Sequence, residues 1–308
     1  MNSSPAMKSL VSIVIPAFNA ADLIREALAS VAQQTYPNWE VVIVEDGTQD
    51  GTEAIATEFA AQVGAEKVRY LRHEVNQGLS ATRNTAIAAA RGEYIALLDH
   101  DDRWYPHHLA TALATLEAQQ ADLVYSPAEM FEDGSDRILG ICGPNAADLR
   151  WFPGSLLNKN FIPVCSVVMR KQVNETVGGF DRTLRRVEDL DYWLRVIEAG
   201  FTIAYTGEMT CSYRQRNPSA MTANKPEILE WHALVLRKHR SFRAIPHTLR
   251  DCILARYHFG VARRSWKQHP TKAMEFFFWS WRISPGGSLA AIAWFCQELL
   301  GLTSRYGW

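Results

Sequence analysis

Acidic residues gather in a pattern that could do chemistry. Asp99-His100-Asp101-Asp102 follows the apolar run Tyr94 to Leu98, and Glu45-Asp46 with Asp50 follows the valine-rich run from Trp39. Carboxylates brought this close repel one another unless their charge is offset. A divalent cation offsets it, and Mg²⁺ and Mn²⁺ take carboxylate oxygens together with substrate phosphates. In an extended segment alternate side chains point the same way. Asp99 and Asp101 could therefore address one nucleotide–metal unit. A plainer reading is a solvated acidic loop with Asp102 capping the next helix, and Asp46-Gly47 is also ordinary turn chemistry.

The elements that must position these residues follow from periodicity. Short apolar runs at 10–15, 39–45, 68–71 and 94–98 alternate with helical patterns at 21–33, 52–63, 79–90 and 106–118. That alternation predicts βαβ units around a parallel sheet, its strands apolar throughout because helices cover both faces. Ligands bind outside the carboxyl ends of such strands. Those ends carry Pro16-Ala17-Phe18-Asn19, then Glu45 to Thr52, then Asn76-Gln77-Gly78 with Arg83-Asn84, then Asp99 to Asp102. The middle is less regular, with strands expected at 123–126, 164–170, 201–205 and 210–213, a polar hairpin at 132–141 and a helix at 189–199. From about residue 226 the signal is helical and aromatic. The expected organisation is an α/β domain over 1–225, followed by a helical extension over 226–308.

Composition narrows the classes. The chain has 308 residues, 47% hydrophobic and 21% charged, with a net charge of −1. That is a globular balance without the basic field of a nucleic-acid binder. Its five cysteines lack any C-x-x-C pair, which argues against a disulfide framework or structural zinc and for a reducing cytoplasm. Cys142 and Cys165 read as small buried hydrophobes, and His107-His108 as the exposed start of a helix. No signal-peptide pattern opens the chain, and the apolar run 289–295 is broken by Gln297 and Glu298. Neither G-x-G-x-x-G nor a P-loop is present, against a nicotinamide dehydrogenase and a P-loop ATPase.

The order Val14 to Asn19, Val44 to Thr52, Asn76-Gln77-Gly78, Ala81 to Asn84, Leu98 to Asp102, Gly178-Gly179-Phe180-Asp181 and Glu188 to Arg195 resembles the family 2 glycosyltransferases of GT-A fold, in their non-processive bacterial form. The resemblance spans about residues 10–215 and implies that 1–225 is a catalytic domain, its donor half about 10–126 and its acceptor half about 127–225. Glu45 departs from it, where many members carry Asp. The Gln-x-x-Arg-Trp signature of polymer-making members is absent. The resemblance implies a mostly parallel central sheet flanked by helices and an inverting transfer from a nucleotide-diphosphate sugar, UDP by default, to a glycan or lipid-linked acceptor. It implies that Pro16, Ala17, Phe18, Asn19 and Asp46 hold the nucleoside, with Asn76, Gly78 and His100 in the same donor loops and Arg83 near the base or diphosphate. Asp99 would touch ribose and share the metal with Asp101, and Asp102 would assist. Glu188-Asp189 would form the catalytic motif, Asp189 serving as base. A helix N-terminus favours ionised Asp189, while an N-cap role would explain the same placement.

Several further residues carry two readings. Trp193 either stacks on a sugar or belongs to the core. Arg214 and Arg216 either close over the diphosphate as a mobile loop or form a solvated basic loop. Asp191 and Arg195, four apart, are placed to pair. The aromatic run Phe276 to Arg282 with Arg263, Arg264, Lys267 and Lys272 either lies on an anionic membrane face or packs against other protein, including a second subunit. The rival functions are a nucleotidyltransferase, which lacks its glycine-rich basic loop here, and a non-catalytic sugar-nucleotide module, which would have no need of Asp101 or Asp189.

Overall fold

A computed structural model describes residues 9–215, 226–266 and 268–284, in two compact units. The first unit takes in 1–150 and 160–219, the second 151–159 and 220–308. In the first, β1 (Val11–Ala17), α1 (Ile24–Ala32), β2 (Trp39–Asp46), α2 (Thr52–Val63), β3 (Val68–His73), α3 (Leu79–Ala89) and β4 (Tyr94–Leu97) alternate as their periodicity predicts. There follow β5 (Arg103–Trp104), α4 (His108–Ala118), β6 (Leu123–Tyr125) and the hairpin β7 (Ala128–Glu132) and β8 (Ile138–Cys142), then α5 (Ala146–Arg150). The second unit contributes α6 (Gly154–Asn158). The first unit closes with β9 (Val168–Arg170), α7 (Lys171–Val177), α8 (Glu188–Glu198), β10 (Ile203–Tyr205) and β11 (Cys211–Gln215).

Seven strands form one sheet in the order β10-β6-β9-β4-β1-β2-β3. Every pairing is parallel except those of β9, which runs antiparallel to β4 and β6. All residues of β1, β2 and β4 are buried, as strands covered on both faces must be. β3, at the edge, is only partly buried. Within the core strand β2, Glu40 is 2% exposed. It accepts from the Ser12 hydroxyl at 2.6 Å and from the Arg91 backbone N–H at 2.7 Å. Burial alone would raise its carboxyl, but these bonds and the Arg91 charge outweigh that and lower it.

A second sheet, β5-β11-β7-β8, takes in the expected hairpin and the expected 210–213 strand, but β5 and their assembly into one sheet have no counterpart in the sequence reading. Its members are short and half polar, so they lack the apolar signature of the central strands. The expected 164–170 strand is also shorter, because Val164–Ser166 is a 3-10 turn. His108 is buried rather than exposed: it stacks on Trp104 with centroids 4.2 Å apart and bonds to the Thr210 hydroxyl at 2.7 Å. Cys165 is buried as expected, whereas Cys142 is partly open.

The second unit continues with α9 (Pro226–Lys238), α10 (His247–Ser265) and α11 (Pro270–Ile283), packed around Ala233, Val261, Ala262, Phe276 and Phe277. No helix among the described residues is long and apolar enough to cross a membrane. Lys267 and the run 289–298 lie outside the described residues.

Candidate active site

The carboxyl ends of β1, β2 and β4, with the loop after β3 and the start of α8, collect most of the candidate residues. β1 runs on through Pro16 to Ala17. It pairs with β4 only as far as Val14, so the missing Pro16 N–H breaks no ladder on that side. The Pro16 carbonyl instead lies 3.1 Å from His100 Nδ1. Ala17 is buried and Phe18 is 45% exposed. Asn19 takes a left-handed φ of 48°, a conformation asparagine tolerates better than most residues.

The carboxylates at the end of β2 and just after it build loops. Glu45 accepts from the Tyr70 and Thr48 hydroxyls. Asp50 accepts from the Thr52 N–H at 3.1 Å and the Ala21 N–H at 3.0 Å, tying the start of α2 to the loop after β1. Asp46 accepts from the Gln77 N–H and the Gly78 N–H, both at 2.8 Å, and pairs with His73 Nδ1 at 2.7 Å. Burial would raise its carboxyl, but these donors hold it below its usual value. Asp46 thus organises the Asn76-to-Gly78 loop, in which Asn76 itself is exposed. Gly47 makes the approach possible: its φ is +74°, and a Cβ there would sit 2.4 Å from the Asn76 nitrogen.

The segment after β4 turns instead of staying extended. The Asp102 N–H donates to the Asp99 carbonyl at 3.1 Å, closing a turn through His100 and Asp101. The alternation argument for Asp99 and Asp101 therefore fails, since it required continued strand geometry. Asp102 is 1% exposed and caps no helix. Its Oδ1 accepts from the Arg214 backbone N–H at 2.9 Å. Burial first, and then repulsion from Asp101 and Asp99, push its carboxyl well above the usual range.

Arg214 corrects the loop expectation. It lies in β11, buried, behind the acidic turn. Its Nε donates to the Asp101 carbonyl at 2.7 Å, while its two terminal nitrogens reach Asp133 at 2.8 Å and Glu26 at 2.7 Å. With all three side-chain nitrogens bonded to fixed partners, it clamps the turn and does not swing over a ligand. Arg216 lies outside the described residues.

Arg83 is the junction. Its side chain is 2% exposed and donates to Glu188 Oε1 at 2.7 Å and to both Asp99 oxygens at 2.8 and 3.0 Å. Glu188, placed in the catalytic motif on sequence, is buried and held by this ion pair. Next to Arg83 in α3, the Asn84 amide brackets Phe180, donating to its carbonyl at 2.8 Å and accepting from its N–H at 2.7 Å. A Cβ on Gly179 would lie 2.4 Å from that amide oxygen, so the second glycine of the pair clears the contact. Arg195 closes the same turn from α8, bonding Asp191 at 2.9 Å and the Gly179 carbonyl at 2.9 Å. Four motifs distant in sequence thereby meet in hydrogen bonds.

Asp189 sits in the first turn of α8, after Val187 with φ 60°. Val187, not Asp189, is the N-cap residue. Asp189 Oδ2 accepts from Asn160 Nδ2 at 2.6 Å, a partner that no sequence signal marked. Desolvation, then repulsion from Glu188, push the Asp189 carboxyl up to about 7, although its side chain keeps some contact with solvent. Trp193 is 0% exposed and meets the Tyr192 ring edge-on. It belongs to the core, and the sugar-stacking reading is withdrawn: nearly every residue from Leu190 to Val196 is buried.

Among the described residues no group of three or more histidine, cysteine or acidic side chains could hold a metal alone. The donor set at Asp99 and Asp101 is all oxygen, which suits Mg²⁺ or Mn²⁺ shared with substrate phosphates and not an all-protein cage.

Comparison with known proteins accords with this geometry. The model of the family described as "Glycosyl transferase family 2" matches residues 12–172. TuaG of Bacillus subtilis (strain 168), provisionally named a teichuronic acid biosynthesis glycosyltransferase, is 31% identical over 71% of this chain and 83% of its own. The Escherichia coli UDP-Glc:alpha-D-GlcNAc-diphosphoundecaprenol beta-1,3-glucosyltransferase WfgD is 28% identical over 73% of this chain and 85% of its own. In fold, S. aureus TarS 1-349 in complex with UDP-GlcNAc superposes with a TM-score of 0.64 at 18% identity, over 88% of this chain and 79% of that one. The mannosyltransferase PcManGT from Pyrobaculum calidifontis, in complex with GDP-Man and Mn²⁺, gives 0.59 at 19% identity, over 98% and 82%. The fold is that of the GT-A enzymes, and the chain belongs to glycosyl transferase family 2 and is a glycosyltransferase.

Proposed function

We propose that this enzyme moves a sugar from a nucleoside diphosphate donor, taken to be UDP-linked, to a hydroxyl of a glycan or lipid-linked acceptor in one inverting displacement. The observation that carries the reading is Arg83, which ties the Asp99 turn to Glu188, the neighbour of a carboxyl raised to about 7. A carboxyl with a value near neutral pH is suited to general-base work. WfgD, by its name, acts on a diphosphoundecaprenol-linked sugar from UDP-Glc, which supports the donor and acceptor classes. TarS with UDP-GlcNAc and PcManGT with GDP-Man and Mn²⁺ share the fold and support a nucleotide-sugar donor and a divalent cation.

In this mechanism Pro16, Ala17, Phe18 and Asn19 with Asn76 and Gly78 line the nucleoside end, and Asp46 holds that loop in shape. His100 braces the turn from the β1 side. Asp99 and Asp101 would hold Mg²⁺ or Mn²⁺, which when bound offsets charge on the departing diphosphate. Asn160 orients Asp189. Asp189 takes the proton of the acceptor hydroxyl as its oxygen bonds to the anomeric carbon. The bond from that carbon to the diphosphate breaks, and its electron pair leaves with the diphosphate. Glu188 positions the base through Arg83 and touches no reacting atom. Residues 1–225 would form the catalytic domain and 226–308 an extension. The expected setting is cell-envelope polysaccharide synthesis on the cytoplasmic side.

The test is a panel of UDP-, dTDP- and GDP-sugars incubated with the purified chain, with and without Mn²⁺, reading released nucleotide. Metal-dependent release from one donor, lost in Asp101→Ala, is the expected result. No release and no metal-dependent nucleotide binding would overturn the reading and favour a non-catalytic module.

A further inference from the structure

The second unit contains a cavity of about 590 Å³ whose chemistry the catalytic reading does not use. Arg237, Arg240, Arg243, Arg250 and Arg282 line it, against a single acidic residue, Asp251. They come from the end of α9, the loop after it, the first turns of α10 and the last turn of α11. Cations at the last turns of α9 and α11 have a plain role in offsetting helix dipoles. That role does not account for Arg243 in the loop or Arg250 near the start of α10, where the dipole disfavours them. Arg250 pairs with Asp251 at 2.8 Å and Arg237 with Glu275 at 3.3 Å. Among the described residues Arg240, Arg243 and Arg282 have no acidic partner. Three exposed arginines at one hollow are thus without an acidic partner among the described residues, a positive site that an anion would offset.

The hollow is not wholly polar. Leu254, Ile283 and Trp279 also line it, and the Trp279 ring lies 4.0 Å from the Arg237 guanidinium. On the same last turns of α11, Phe278 and Trp281 are 54% and 48% exposed. Phe278 is one helical turn before Arg282 and shares its face. Aromatic rings beside clustered arginines, on an amphipathic helix, match the interface of a membrane with anionic headgroups. Phe276 and Phe277, earlier on the helix, are buried in the unit's own core, so only part of the aromatic run serves packing.

We infer that this cavity binds the phosphate headgroup of a membrane lipid, with Phe278 and Trp281 entering the headgroup region beside it. The inference stands apart from the assignment of the catalytic residues.

The full chain would be sedimented with vesicles of phosphatidylcholine alone and with vesicles containing 30% phosphatidylglycerol, a lipid fraction of roughly the order found on anionic membrane faces. Arg240→Gln, Arg243→Gln and Arg282→Gln would be combined in one variant, and Phe278→Ser and Trp281→Ser in another. The expected result is binding to the anionic vesicles alone, weakened by about fivefold per arginine removed, on the order of a hundredfold for three. The aromatic variant should also bind more weakly. Thermal melting checks that the variants fold, and release of nucleotide from the donor in solution should be unchanged in both. Equal binding to both vesicle types, or full binding by the arginine variant, would overturn the proposal. Binding of inorganic diphosphate by calorimetry without any vesicle binding would overturn the lipid assignment in favour of a soluble anion.

Discussion

Arg83 bonds two carboxylates that lie 16 and 105 positions away, and its loss would strand both. Removing one partner of a buried ion pair costs about 3–5 kcal/mol. Arg83→Met should therefore lower the melting temperature sharply, whereas Arg83→Lys, keeping the charge but not the fork, should fold better and still lose most turnover. Asp189 gives a prediction of opposite sign for stability. Its folded value, about 7, lies above the unfolded one near 3.8. The folded state therefore holds a proton through that window, and the contribution to stability is fully present below pH 3.8 and lost as pH rises through 7. Asp189→Asn should be more stable than the parent at pH 8, while transfer falls by a factor of roughly 10²–10⁴. In the parent, turnover should climb as pH rises through about 7. A flat profile from pH 5 to 9, roughly two units either side of that value, would count against Asp189 as base.

The elements show which parts of this site were legible in the sequence. β1, β2 and β4 are buried throughout and mostly apolar, so their runs and the polar residues at their ends could be read directly. The second sheet as a whole could not: β5 has two residues, and β11 places Arg214 inside the protein where its composition suggested a surface loop. The clamp is a tertiary effect, because Glu26, Asp101, Asp102 and Asp133 meet Arg214 only after four separate segments fold together. Asn160 was invisible for the same reason, being an unremarkable residue whose role depends on what faces it. The Asp-x-Asp spacing was legible while its geometry was not, since a turn follows β4 where extension was expected. Arg214→Ala should loosen that turn. The expected outcome is weaker metal-dependent nucleotide binding by about tenfold, read by calorimetry, with a loss of stability that Arg214→Lys does not fully repair. Gly47→Ala should cost about 1–3 kcal/mol, because φ of +74° and the 2.4 Å approach to Asn76 both oppose a side chain. The loop after β3 should become more protease-sensitive in that variant.

At the scale of the whole chain, labour divides within the first unit. The loops after β1, β2 and β3 and the acidic turn after β4 form the proposed donor side, and the start of α8 carries the proposed base. Arg83 holds them in fixed relation. The Asn84, Gly179, Phe180 and Arg195 contacts brace the same junction. If the roles are divided in this way, donor binding and turnover can be separated by single substitutions. The most direct measurement is calorimetric titration of the donor's nucleoside diphosphate with Mn²⁺ into the parent, Asp101→Ala and Asp189→Asn chains, alongside turnover of each. The account predicts that Asp101→Ala loses binding and turnover together, while Asp189→Asn binds like the parent and does not turn over. An Asp189→Asn chain that still transfers sugar, or one that loses binding as fully as Asp101→Ala, would contradict it.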